Sequence, residues 1–236
     1  MRTLFLSHRG ESDDAPENTL AAYQLAMERD SDGIELDLRL TRDRQVICCH
    51  DATLQRVAGV PLAVAEHPLA ELRRHHHIPR FAEALDVLEA DKHMQIEMKG
   101  SSEVLPFARD ILAKYPHRER FAISSFEAAT IRDAADFFPD RPRLLLCNLV
   151  KIFGRFPTAA EVVKHLAPLK CGVSFKADAA ATPEFVRELR DAGLRVVCWG
   201  VFDDELGIKM AEIGVDALTS NHAVALRGKY LETHRG

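Results

Sequence analysis

Gly33-Ile34-Glu35-Leu36-Asp37-Leu38-Arg39 alternates acidic with branched apolar residues. In a strand, successive side chains point to opposite faces, so Glu35 and Asp37 share one face while Ile34, Leu36 and Leu38 take the other. Two carboxylates about 7 Å apart along one strand face repel each other and lose hydration, unless a cation or donor groups compensate. Such a pair suits a hard divalent ion. A second acidic strand, Gln95-Ile96-Glu97-Met98-Lys99, places Glu97 and Lys99 on one face in the same way.

Around these two segments, short apolar runs alternate with longer amphipathic stretches, the pattern of repeated βα units. Strands are predicted at Thr3–Ser7, Gly33–Arg39, Gln45–Cys49, Met94–Met98, Phe121–Ser124, Arg143–Cys147, Gly172–Phe175, Arg195–Gly200 and Val215–Thr219. Helices are predicted at Asn18–Arg29, Phe81–Ala90, Glu103–Lys114, Glu127–Phe137, Ala159–Leu166, Pro183–Ala192 and Asp204–Ile213, from apolar residues three and four apart. The expected fold is an α/β TIM (β/α)8 barrel, with residues 1–236 forming one domain. Only Leu40 to Arg44 separate the second and third strands. A parallel crossover needs a dozen or more residues, so a hairpin or broken strand is expected there, and with it a slightly irregular barrel. Residues 51–80 carry no long element and read as a short recognition excursion over the active-site face. Their His75-His76-His77 triplet, next to Arg73-Arg74, reads as an exposed loop or helix end rather than a metal site.

Residues at barrel strand ends converge on the C-terminal mouth, so Glu97 can join Glu35 and Asp37 in a three-carboxylate site. All-oxygen ligation implies one divalent cation, Mg²⁺ or Ca²⁺, rather than zinc. His8 ends the first strand and His50 the third, where a pair facing carboxylates can act as acid and base. Arg9 offers a guanidinium fork to phosphodiester oxygens and Lys99 a point charge. Trp199 and Phe126 either line the pocket or pack at strand ends.

His8-Arg9-Gly10, Pro16-Glu17-Asn18-Thr19, Glu35-Leu36-Asp37, His50-Asp51 and Glu97-Met98-Lys99 together resemble, in order and spacing, the successive motifs of the glycerophosphodiester phosphodiesterase family. Ser124-Ser125-Phe126 resembles a further motif, and the similarity extends through Trp199 to Asp216–Asn221. The resemblance implies a barrel that hydrolyses small-molecule glycerophosphodiesters to an alcohol and sn-glycerol 3-phosphate with one divalent metal. Glu35, Asp37 and Glu97 match the family's metal ligands, and His8 and His50 its acid/base pair. Arg9 and Lys99 match its phosphate-holding positions, while Glu17 and Asn18 match supports of the His8-Arg9 pair. Departures from the family pattern fall at Ala52–Gly59, Trp199–Phe202 and Thr219–His222, and none removes a proposed ligand or catalyst. Two other readings keep the same site: a phospholipase D-like enzyme that forms a cyclic phosphate from lysophospholipids, and a non-catalytic phosphodiester-binding barrel.

Composition narrows the partners. Lys and Arg number 31 against 36 Asp and Glu, for a net charge of −5, and no basic block suits sequence-independent phosphate binding, which argues against nucleic acid. The N-terminus lacks a signal peptide's long apolar region, and no apolar run approaches the roughly 18 residues of a membrane span. A cytoplasmic location without stable membrane insertion is expected, and a homo-oligomer is compatible with it. The five cysteines are odd in number and fall in strand-like runs, so they read as reduced core thiols.

Overall fold

The structure is a computed structural model that describes residues 2–115 and 118–234. Its strands are β1 (Leu4–His8), β2 (Gly33–Leu40), β3 (Val46–Cys48), β4 (His93–Met98), β5 (Phe121–Ser125), β6 (Arg143–Cys147), β7 (Gly172–Lys176), β8 (Val196–Val201) and β9 (Ala217–Ser220). The hydrogen-bonded order β1-β9-β8-β7-β6-β5-β4-β2 returns from β2 to β1, so the parallel strands close into a barrel. The strand β3 stands outside this ring and pairs antiparallel with the far end of β2, Leu40 opposite Val46 and Leu38 opposite Cys48. This is the hairpin expected from the five-residue spacer, and it makes β2 the longest strand, at 8 residues.

Alternation along β2 sorts its side chains as the sequence requires. Ile34, Leu36 and Leu38 face outward and are buried with Tyr23, Phe81, Leu85, Met94 and Ile96 under the surrounding helices. A second outer cluster covers the opposite side, where Val173, Phe175, Val196 and Cys198 pack on Val162, Leu166, Phe185 and Leu189. The barrel interior holds only a small apolar plug of Leu6, Ala122, Leu144, Val197 and Ala217. Buried polar residues, among them Glu35, Asp37, Gln95, Glu97, Ser124 and Thr219, share the remaining interior. All five cysteines are free and buried.

Two helices go beyond the sequence-based assignment. Leu149–Phe153 is too short to show a helical period, and it is started by Asn148, whose side chain accepts from Lys151 N. Ala223–Thr233 buries only Ala223 and Leu226. Arg227 holds it in addition, with Nη1 donating to the Asp32 carboxylate Oδ1 at 2.8 Å and Nη2 to the Asp30 backbone carbonyl at 2.6 Å. The excursion is also more ordered than its sequence suggested. Short helices at Gln55–Ala58 and Leu69–Leu72 and a 3-10 turn at Val64–Glu66 enclose a cluster of Leu54, Val64, Leu69, Leu72 and Ile78, which packs on Ile47 and Cys49 of the hairpin.

One close approach fixes where β2 lies against β4. A Cβ added at Gly33 would sit 2.1 Å from the His93 carbonyl oxygen, so the backbone itself would have to move. Gly33→Ala is expected to destabilise the barrel by about 2–3 kcal/mol, read as a lower urea midpoint with unchanged slope. A loss under about 0.5 kcal/mol would show that the strand pair gives way without cost.

Candidate active site at the barrel mouth

The strand register brings the acidic residues together before any loop contributes. His8 is the register partner of Glu35, and Asp37 that of Glu97. One carboxylate oxygen from each of Glu35, Asp37 and Glu97 lies within 4.8 Å of the others, and all three residues are buried. Among the described residues this is the only His, Cys, Asp or Glu group close enough to share a metal ion. The triplet at 75–77 forms none. Instead His76 and His77 line a separate cavity of about 600 Å³ outside the barrel, beside Leu20, Ile78 and the ion-paired Arg73 and Glu83.

Two cations face the three acids. Lys99 Nζ is 2.6 Å from Glu97 Oε1 and 3.2 Å from Asp37 Oδ1, and Arg9 Nε is 3.1 Å from Asp37 Oδ2. Arg9 adopts a left-handed backbone (φ 59°), held by its N–H donating to the Glu35 carbonyl at 2.9 Å. Its Nη1 donates to Glu17 Oε1 at 3.0 Å. Asn18, also left-handed (φ 54°), donates from Nδ2 to Asp37 Oδ2 at 2.8 Å, and its Oδ1 accepts from the Tyr23 hydroxyl at 2.9 Å.

This balance leaves the acids unequal. Burial alone would lift the Asp37 carboxyl, but Lys99 and Arg9 overrule it and hold it at about 2. Burial and then the charge of Asp37 push Glu97 up to about 7, and the same two causes drive Glu35 well above the carboxylate range. Asp37 Oδ1 and Arg9 Nε are buried without an aligned hydrogen bond despite their ionic neighbours. Three converging carboxylate oxygens, two of them on glutamates whose pKa values burial and Asp37 raise, fit a hard cation that would complete the charge balance.

The histidines are held alike. His8 Nδ1 lies 2.7 Å from Asn221 Oδ1, and His50 Nδ1 lies 2.6 Å from Asp51 Oδ1. Each contact uses Nδ1–H as donor, which leaves Nε2 as the free lone pair; for His8 that atom is 3.9 Å from Glu35 Oε2. Burial lowers both imidazole pKa values, helped by Arg9 at His8; at His50 the charge of Asp37 opposes the shift and Lys99 adds to it. Arg39 fixes the backbone at His50, with Nε and Nη2 donating to its carbonyl at 2.9 and 2.7 Å.

A cavity of about 360 Å³ opens over these groups. His8, Arg9, Glu17, Glu35, His50, Glu97 and Lys99 form one wall, and Phe126, Leu146, Trp199 and Phe202 the other. Asp37 and Asn18 lie behind the wall rather than on it. Trp199 meets Phe126 edge-on with ring centroids 5.2 Å apart, and Lys99 Nζ stands 5.7 Å from the Phe126 ring. The register of β8 against β9 shifts between Cys198 and Val201, and Gly200 (φ 74°) in that bulge lets the chain turn while Trp199 faces the cavity. Sequence reasoning assigned no role to Asn221, Arg56, Gln95 or Phe202. Asp51 follows His50 directly, a local signal, whereas Asn221 lies 213 residues from His8 and gives none.

The sequence model of the glycerophosphoryl diester phosphodiesterase family matches residues 8–225. A curated relative, the glycerophosphodiester phosphodiesterase of Caldanaerobacter subterraneus subsp. tengcongensis, is 29% identical over 240 residues, covering 94% of this chain and 95% of its own. Among solved structures, an Oleispira antarctica phosphodiesterase in complex with the product sn-glycerol-3-phosphate superposes with a TM-score of 0.83 at 24% identity, over 98% of this chain and 97% of that one. The Thermotoga maritima glycerophosphodiester phosphodiesterase gives 0.81 at 24% identity, over 97% and 98%. At that identity the two structures bear on the fold alone.

The raised glutamates set a pH test. Without a cation, Glu35 and Glu97 keep protons in the folded chain that the unfolded chain has released above about 4.5, so the contribution of Glu97 to stability falls as pH rises to about 7 and that of Glu35 falls in the same direction. The depressed His8 and His50 act in the opposite sense just below 6.5. A divalent cation bound at the cluster displaces the glutamate protons, so the rise in Tm it produces should grow between pH 5 and pH 8. Differential scanning calorimetry with and without saturating cation reads this directly. A rise independent of pH would remove the cluster as the ligand set.

Proposed function

The chain belongs to the glycerophosphoryl diester phosphodiesterase family, and from that premise we propose that it is a metal-dependent hydrolase, one catalytic domain, that cleaves glycerophosphodiesters to an alcohol and sn-glycerol 3-phosphate. The observation that carries the reading is the pair of imidazoles, His8 and His50, each held through Nδ1 and each lining the cavity that Glu35 and Glu97 of the acidic cluster also line. In this reading the three carboxylates hold Mg²⁺ or Ca²⁺. When bound, the cation neutralises charge on the phosphodiester's non-bridging oxygens and polarises phosphorus.

Arg9 takes another non-bridging oxygen with its guanidinium, steered by Glu17 and Asp37. Lys99, held by Glu97, adds positive charge against the developing transition state. One imidazole Nε2 removes the proton of the nucleophile, either water or the substrate's glycerol 2-hydroxyl. The other histidine hands a proton to the departing alkoxide. Burial favours the neutral form of both imidazoles, and an anionic substrate beside them favours the imidazolium that the donor role requires. Asn221 and Asp51 keep each ring in the Nδ1–H tautomer during this exchange.

A second reading is favoured by one observation. Phe126 and Phe202 are 45% and 70% exposed at the cavity wall, an apolar lip that suits an acyl-bearing diester such as a lysophospholipid. Initial rates on glycerophosphodiesters with and without an acyl chain, with product analysis for a cyclic phosphate, separate the two.

His8→Ala, His50→Ala and Glu35→Gln should each lower kcat by on the order of 10²–10⁴-fold while leaving the circular dichroism spectrum unchanged, and chelation should abolish turnover until Mg²⁺ or Ca²⁺ is restored. Turnover that survives chelation would sink the cation assignment. A near-normal rate in either histidine variant would sink the paired mechanism.

A further inference from the structure

We propose that Arg56, carried by the excursion, is a positioning residue that ties His50 and Arg9 into one array through a single guanidinium. Its Nη1 and Nη2 donate to Glu17 Oε2 and Oε1 at 2.8 and 2.7 Å, and its Nε donates to Asp51 Oδ2 at 2.6 Å. The second oxygen of Asp51 holds His50 Nδ1 at 2.6 Å. Glu17 Oε1 also receives Arg9 Nη1 at 3.0 Å. The result is a continuous path, His50 to Asp51 to Arg56 to Glu17 to Arg9, from a proton-transfer group to a phosphate-binding group.

Exposed ion pairs usually contribute little, and Arg56 is half-exposed; bidentate geometry within a network is where they count. The planar fork serves here because its edges address two carboxylates at once. Without it, Glu17 keeps only its contact to Arg9 and Asp51 only its contact to His50, and each carboxylate is free to turn from the residue it steers. The short helix bearing Arg56, Gln55–Ala58, fully buries none of its residues; Val57 and Ala58 pack on the excursion's apolar cluster, and the Arg56 ion pairs tie the helix to Glu17 in the segment after β1. Orientation of this kind matters for a histidine that must present one nitrogen, since a carboxylate that fixes the tautomer governs rate rather than fold.

The inference rests on the proposed hydrolase reading for its kinetic arm alone. In the 236-residue chain, Arg56→Met should lower kcat by on the order of 10–100-fold, through His50, and raise KM severalfold, through Arg9, with Tm changed by no more than about 3 °C. The ¹⁵N shifts of the His50 ring should move from a single Nδ1–H tautomer toward a mixture. Arg56→Lys keeps the charge but not the fork, and should recover only part of the lost kcat. Values of kcat and KM within twofold of wild type would overturn the proposal, as would full recovery in Arg56→Lys, or a loss that follows a fall in Tm with the His50 tautomer unmoved. If the wild-type chain turns over no diester, the hydrolase reading fails, and the ring ¹⁵N comparison still decides whether Arg56 positions His50.

Discussion

Three buried carboxylates against two cations is the constraint on which the mouth of this barrel depends. One carboxylate oxygen from each of Glu35, Asp37 and Glu97 lies within 4.8 Å of the others, and the β2–β4 register holds their backbones side by side. The surrounding groups answer that crowding. Lys99 reaches back to two of the acids, Arg9 takes a left-handed backbone that turns its side chain inward, and Asn18 does the same to place an amide against Asp37. These contacts hold the Asp37 carboxyl ionised and leave the two glutamates short of compensation. The remaining deficit is the physical basis for a cation, since a hard ion relieves the repulsion that the protein leaves in place.

The site divides its work between rigid and looser elements. The carboxylates sit on β2 and β4, inside a closed hydrogen-bonded ring, where their spacing is fixed by the pleat. The histidines sit at strand ends and take their orientation from outside the ring, His8 from Asn221 beyond β9 and His50 from Asp51 at the start of the excursion. A short excursion is enough for this because it has its own apolar cluster, with Leu54, Val64 and Leu72 packed on the β3 hairpin. The hairpin thus anchors the segment that steers His50.

Local pattern was sufficient for some of this and not for the rest. The alternation in Gly33–Arg39 placed Glu35 and Asp37 on the inner face, and the five-residue spacer before Gln45 implied an antiparallel β3, because both follow from geometry over a few residues. Family motifs supplied the pairing of distant residues that pattern alone could not. Groups whose partner comes from the far end of the chain stayed silent: Asn221 meets His8 only after the barrel closes, and Arg56 meets Glu17 only after the excursion folds back across 39 residues. The helix Ala223–Thr233 was missed for a related reason. It buries little of its own surface and is held in part by the Arg227 contacts to Asp30 and Asp32, which leave no apolar period to read.

The mouth is also chemically lopsided, and the asymmetry follows strand order. Segments after β1 to β4 supply the charges, from His8 and Arg9 round to Lys99, whereas those after β5 and β8 supply Phe126 and Phe202, with Leu146 and Trp199 at the ends of β6 and β8. A phosphodiester has the same division, an anionic centre between two ester arms of which at least one carries carbon. On the proposed reading the phosphorus lies over the charged half, where both imidazoles and both cations reach it, and an ester arm extends along the aromatic half. The β8 bulge at Gly200 is then part of the chemistry, because it keeps Trp199 facing the cavity where a regular strand would not turn. On that reading catalytic charge and substrate shape come largely from different strands, and Lys99, which pairs with Glu97 and Asp37 and stands 5.7 Å from the Phe126 ring, joins the two halves.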